Sequence, residues 1–94
     1  MVRLVKIREI EMVGALQVLI VLSKNPGIML TELLQKVDAS SKTVMRAVNH
    51  LLKIGLIKEV REEEFPRRRR LYPTEKGRRI GELLEKIEEV LREG

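Results

Sequence analysis

The chain has 94 residues, no cysteine, one histidine and a formal net charge of +5. That length supports one domain with a modest core. The lack of cysteine excludes disulfides, thiolate chemistry and cysteine-based zinc sites. Charged residues make up 35% and aromatics only 2%, as expected of a helix-rich protein with an aliphatic core.

Glu outnumbers Asp 13 to 1, and Asn and Gln together number only 4, a bias reminiscent of hyperthermophile proteins. The positive charge sits mid-chain: residues 38–79 carry 12 cations and 6 anions, whereas residues 80–94 carry 2 cations and 5 anions. One face is therefore expected to meet a polyanion while the far end does not. The apolar run Met12 to Leu22 is too short to span a bilayer, and no signal-peptide pattern precedes it. No membrane association is expected, and cytoplasm is the expected location.

Residues 1–8 fit neither helical nor strand periodicity and are compatible with an arm, a short strand or a first helical turn. A helix is predicted over 9–24, closed by Asn25, Pro26 and Gly27. Its apolar residues, among them Val13, Leu16 and Ile20, surround the whole circumference, so cover is required on all sides. Ile28-Met29-Leu30 has strand potential. Thr31 is expected to cap a short helix from Glu32 to Val37, with Glu32 at its positive end.

Asp38-Ala39-Ser40 then reads as a tight turn into a helix running to Ile54. Ser40 is the expected N-cap and Gly55 the C′ residue. Val44, Ala47, Val48, Leu51, Leu52 and Ile54 fall on one side of that helix. Lys42, Arg46, Asn49 and Lys53 form a polar stripe on the other. Two helices joined by a three-residue turn, the second with such a stripe, make a helix-turn-helix over 31–54. Arg, Lys and Asn are the side chains that read guanine, phosphate and adenine. His50 lies beside the stripe without a second ligand, so a satisfied or solvated imidazole is expected, not a metal site.

Residues 56–72 read as a hairpin: a strand from Leu56 to Arg61, a loop around Phe65-Pro66 and a return strand from Arg68 to Tyr72. Arg67, Arg68, Arg69 and Arg70 are consecutive, and strand alternation keeps them from forming one surface. Such a run either blunts an edge strand or clamps phosphate; beside a helix-turn-helix, the clamp is expected. Thr74 should cap a last helix over 74–92. Ile80, Leu83, Leu84, Ile87, Val90 and Leu91 share one face within about 120°, and Glu82–Lys86 and Glu88–Arg92 are spaced for i,i+4 pairs. Gly77 and Gly81, one turn apart, point to close approach of another backbone.

The fold class expected is mainly α with a small antiparallel hairpin, a winged helix-turn-helix. Ser40, Thr43-Val44, Arg46, Leu51, Gly55-Leu56-Ile57 and Thr74-Glu75-Lys76-Gly77 resemble the S-x-x-T-V-x-R, G-L-I and L-T-x-x-G signatures of the MarR and PadR families of winged-helix regulators. The resemblance covers about residues 28–80. Pro73 departs from the usual Leu, and the wing lacks the Asp-x-Arg pair of MarR proteins.

The resemblance implies binding of double-stranded DNA by a homodimer. Ser41, Lys42, Thr43, Met45, Arg46 and Asn49 would face DNA from the recognition helix, and Arg67 to Arg70 from the wing. The dimer interface would take Val13, Leu16, Ile20, Ile80, Leu83, Leu84, Ile87 and Leu91 from the first and last helices. The chain is shorter than a typical MarR protein, which makes a small-molecule effector doubtful. No cofactor is expected. No enzyme is expected either, since there is no glycine-rich phosphate loop and His50 stands alone. Two other readings remain open: a protein-contact module, favoured by the Glu62-Glu63-Glu64 run, and a non-specific architectural DNA binder.

Overall fold

A computed structural model describes residues 6–94. The elements run as a 3-10 turn at Ile7–Ile10, α1 (Ala15–Lys24), β1 (Ile28–Met29), α2 (Leu30–Lys36), α3 (Ser41–Lys53), β2 (Ile57–Arg61), β3 (Arg69–Pro73) and α4 (Glu75–Arg92). The strands form one antiparallel sheet in the order β1-β3-β2. This is a winged-helix fold, mainly helical with a small antiparallel sheet.

The expected first helix, 9–24, is broken in two. Gly14 takes φ 85° and ends a bend after the 3-10 turn, so α1 begins only at Ala15. A left-handed residue cannot continue a right-handed helix. Val13 therefore falls outside α1 and is 71% exposed. Ala15, Val18, Leu19 and Leu22 are buried, whereas Leu16 is exposed and Ile20 half-buried. The chain thus leaves part of the apolar circumference uncovered. Of the opening segment, residues 1–5 lie outside the described residues, while Ile7–Ile10 supply the helical turn.

The second helix starts earlier than expected. Its N-cap is Met29, whose backbone N–H donates to Glu32 Oε1 at 3.4 Å, and Thr31 lies exposed in the first turn. The strand potential at Ile28 and Met29 is used to add a third strand: Ile28 pairs with Leu71 and Met29 with Arg70.

Hydrophobic closure comes from all parts of the chain. Leu19 and Leu22 of α1, Leu33 of α2, Val44, Val48 and Leu51 of α3 and Leu71 of β3 are fully buried. The last helix packs along α1. Its start is set by Thr74, whose Oγ1 accepts from Gly77 N at 3.2 Å and donates to Gly55 O at 2.9 Å. The two glycines of α4 are buried where backbone meets backbone. A Cβ on Gly81 would stand 2.9 Å from Leu19 O and 2.8 Å from Ser23 Cβ, so the small-residue pair is what lets α4 seat on α1 and on the turn between α3 and β2. Along the outside, Glu88 pairs with Arg92 as expected, at 3.2 Å, but Glu82 turns back to Arg78 at 2.9 Å instead of forward to Lys86.

Candidate nucleic-acid interface

The recognition-type helix is α3. Ser40 Oγ accepts from Thr43 N at 3.2 Å and donates to Thr43 Oγ1 at 2.9 Å, which fixes the first turn. One side of α3 is anchored by Val44, Ala47, Val48 and Leu51, all fully buried. Ser41, Lys42, Arg46 and Asn49 lie on the exposed side, and Thr43 and Met45 are half-buried at its margin. Among the described residues, Lys42, Arg46 and Asn49 have no side-chain hydrogen-bond or ion-pair partner in the chain. Their donors and acceptors are free for an incoming surface.

Two contacts without a signal in the sequence hold α3 in place. Gln17 of α1 accepts from Asp38 N at 2.8 Å, pinning the turn between α2 and α3. His50 Nε2 lies 2.6 Å from the carbonyl oxygen of Glu9. A carbonyl only accepts, so this nitrogen carries the proton. The imidazole is a structural tie to the 3-10 turn, which makes it a satisfied histidine. Neither tie has a local signature, since each spans more than 20 residues.

The wing divides the arginine run. Directly paired residues share a face of the sheet. Arg69, opposite Arg61, therefore lies on the face of buried Leu71, and Arg70, opposite Val60, on the other. Arg69 forms an ion pair with Glu59. Arg70 Nε donates to Glu62 Oε2 at 2.9 Å, and its Nη1 donates to Gly27 O at 2.9 Å. Arg67 and Arg68 lie exposed at the tip, Arg68 only 4.0 Å from Glu62 at its nearest oxygen. The hydrogen bond from Arg70 holds the Glu62 carboxyl below the usual range, opposed by partial desolvation. Phe65, in the sequence no more than a loop marker, projects from the tip and is 93% exposed.

The chain also presents an apolar surface. Ile80 and Leu84 of the expected dimer face pack half-buried against the chain's own core. Leu83, Ile87 and Leu91 remain exposed, at 60%, 54% and 78%. Leu83 and Ile87 border a groove of ≈ 380 Å³ that Ile7, Ile10, Ile54 and Leu56 line from the other side. Val13 and Leu16 are exposed but line a different depression.

A helix-turn-helix with a solvent-facing cationic stripe, followed by the β2–β3 hairpin of a three-stranded sheet, defines a winged-helix protein of the regulator class. The ArnR1-like winged-helix domain family matches residues 11–91, and the chain belongs to that family. It is similar to the HTH-type transcriptional regulator YybA of Bacillus subtilis, with 33% identity over 61 residues that cover 65% of this chain and 41% of the relative. The chain thus spans about two-fifths of the length of that curated relative.

Among solved structures, SSV1 F-93 superposes with a TM-score of 0.72 at 31% identity, covering 84% of this chain and 89% of that one. A MarR-family regulator from Listeria monocytogenes, complexed with 26mer DNA, superposes at 0.77 with 27% identity, covering 89% and 57%. The chain is a winged helix of the MarR-regulator type, and the Bacillus subtilis and Listeria monocytogenes relatives are transcriptional regulators by name. Among the described residues no helix is long and apolar enough to cross a membrane.

Proposed function

We propose that the protein binds double-stranded DNA sequence-selectively as a homodimeric transcriptional regulator. One observation carries this reading: Lys42, Arg46 and Asn49 stand exposed on a capped, firmly anchored α3, with no partner among the described residues. Arg offers a bidentate fork to guanine and Asn a donor–acceptor pair to adenine, while Lys neutralises phosphate. Arg67 and Arg68 at the wing tip would reach the flanking minor groove or phosphates. A DNA-bound MarR-family relative with the same fold supports the assignment. In a symmetric dimer, two α3 helices would enter successive major grooves about 34 Å apart.

Selection of bound sequences from a random duplex pool tests the proposal. The expected result is a two-fold symmetric motif; enrichment of no motif would leave a non-specific architectural binder. Phe65 and the exposed Glu63 and Glu64 favour one other reading, a wing used for protein contact. That reading expects no salt-dependent duplex binding at all.

A further inference from the structure

The carboxylate run Glu62-Glu63-Glu64 sits in the wing, where negative charge should repel a polyanion. Its first member is not free. Glu62 Oε2 accepts from Arg70 Nε at 2.9 Å, and Oε1 accepts from the backbone N–H of Arg68 at 3.3 Å. The Glu62 backbone N–H donates to Arg68 O at 3.0 Å across the mouth of the hairpin loop. Arg70 also donates from Nη1 to Gly27 O at 2.9 Å, in the turn that leads through β1 into α2. One guanidinium thus ties the start of the wing loop to the entry of the helix-turn-helix. Its Nε edge is occupied, so its fork is not presented outward as a phosphate clamp requires.

We infer that Glu62 and Arg70 are positioning residues: Glu62–Arg70–Gly27 is a strut that fixes the wing tip relative to the helix-turn-helix, so Glu62 promotes DNA binding despite its charge. The inference rests on the DNA-binding reading above. The strut accounts for the split in the arginine run, with Arg69 and Arg70 bracing the hairpin and Arg67 and Arg68 carried at its tip. The geometry explains why Arg is needed at 70. A planar guanidinium can donate to two acceptors from separate nitrogens, which one ammonium on a flexible stem does not reproduce.

The test measures duplex affinity and its salt dependence for the full chain and for Glu62→Gln, Glu62→Ala, Arg70→Ala and Arg70→Lys. Both side chains are only half-buried, and a thermal melt checks that each variant folds. If Glu62 acted only through charge, its removal would tighten binding. A strut predicts the opposite sign, with Glu62→Ala weaker by about two- to fivefold, the range that an exposed ion pair supports.

Arg70→Lys should lose as much affinity as Arg70→Ala, and both should keep the wild-type salt slope. Amide exchange at Glu62 and Arg67 should be faster in Glu62→Ala without DNA. Equal or tighter binding by the Glu62 variants overturns the strut. So does a salt slope reduced by about 0.9 in Arg70→Ala, the mark of one phosphate that Arg70 itself neutralised. A wild-type chain that binds no duplex in the same assay overturns the DNA reading itself, so the two failures are distinguishable.

Discussion

Gly77 lies directly against the backbone of Leu56: a Cβ at position 77 would overlap the Leu56 carbonyl oxygen and stand 2.9 Å from its carbon. The same oxygen accepts from Thr74 N at 3.0 Å, and Thr74 Oγ1 reaches Gly55 O. The two short motifs at 55–57 and 74–77 are thus the two sides of one joint. It seats the last helix on the turn that leads from the recognition helix into β2.

Gly77→Ala should therefore destabilise the fold. Alanine gains about 1 kcal/mol of helix propensity, but the clash is with backbone and cannot be relieved by a rotamer change. Overpacking of this kind costs about 1–3 kcal/mol or more, so the net sign is a loss. Gly81→Ala, whose Cβ would meet Ser23 Cβ and Leu19 O at 2.8 to 2.9 Å, should lose less because that overlap is shallower than the one at Gly77. Urea unfolding midpoints of the two variants give the ranking; Gly77→Ala matching the wild type would refute the joint.

On α3, Arg46→Ala and Asn49→Ala should each weaken binding to the selected motif by about 1–3 kcal/mol. Both side chains are exposed and unpaired among the described residues, so the thermal midpoint should hardly move. Titrations with selected and scrambled duplexes make the comparison. An equal loss on both would mean contact with phosphate alone.

At the wing tip, Arg67→Ala with Arg68→Ala should weaken binding to every duplex. The salt dependence should flatten by about 0.9 for each phosphate that these arginines neutralise. An unchanged slope would assign the exposed pair to solubility.

For the apolar face, Leu83→Glu with Ile87→Glu should give monomers that remain folded, since both side chains are over half exposed in the single chain. Leu84 is the poorer target because it packs on the core of its own chain. An exposed apolar patch of this kind is a liability in a soluble monomer. Light scattering at micromolar concentration should report a dimer for the wild type, and a wild-type monomer would sink the homodimer reading.

The wing should also respond to acid. The Glu62 carboxyl has a lowered pKa in the folded chain, chiefly through the Arg70 hydrogen bond. A depressed folded value gives a contribution that is fully present above the unfolded carboxyl pKa, about 4.3, and lost as pH falls through the folded value. Amide protection in the wing should hence survive at about pH 5 and fade only below the ordinary glutamate range. Glu62→Gln should remove this pH step; a step that persists in the variant belongs to another group.

What is legible in the sequence is mostly local. The recognition-type helix announces its own ends through Ser40 and Gly55, and its faces through residues spaced on one turn. The close approach at Gly77 and Gly81 can be read from two glycines in a helix that otherwise favours long side chains. The break at Gly14 is hidden because Ile10 to Leu22 is apolar enough to satisfy a helix on any face. The division within the arginine run depends on the register Val60 to Arg70 and Arg61 to Arg69, which follows from how the loop closes. The third strand is only Ile28–Met29, too short for any periodicity, and its pairing to Leu71 is set by tertiary packing.

That pairing bears on how the chain folds. Gly27 N donates to Leu71 O at 2.9 Å, Ile28 registers with Leu71, and α1 packs on α4. The first strand thus finds its pairing partner, and the first helix a large part of its cover, in the last third of the chain. During synthesis Leu19 and Leu22 should be only partly sheltered, by α2 and α3, until β3 and α4 emerge. Long-range closures of this kind slow folding relative to a bundle of sequential neighbours. A nascent chain arrested before Arg69 should remain protease-sensitive from α1 onward, however well α3 forms its own turns.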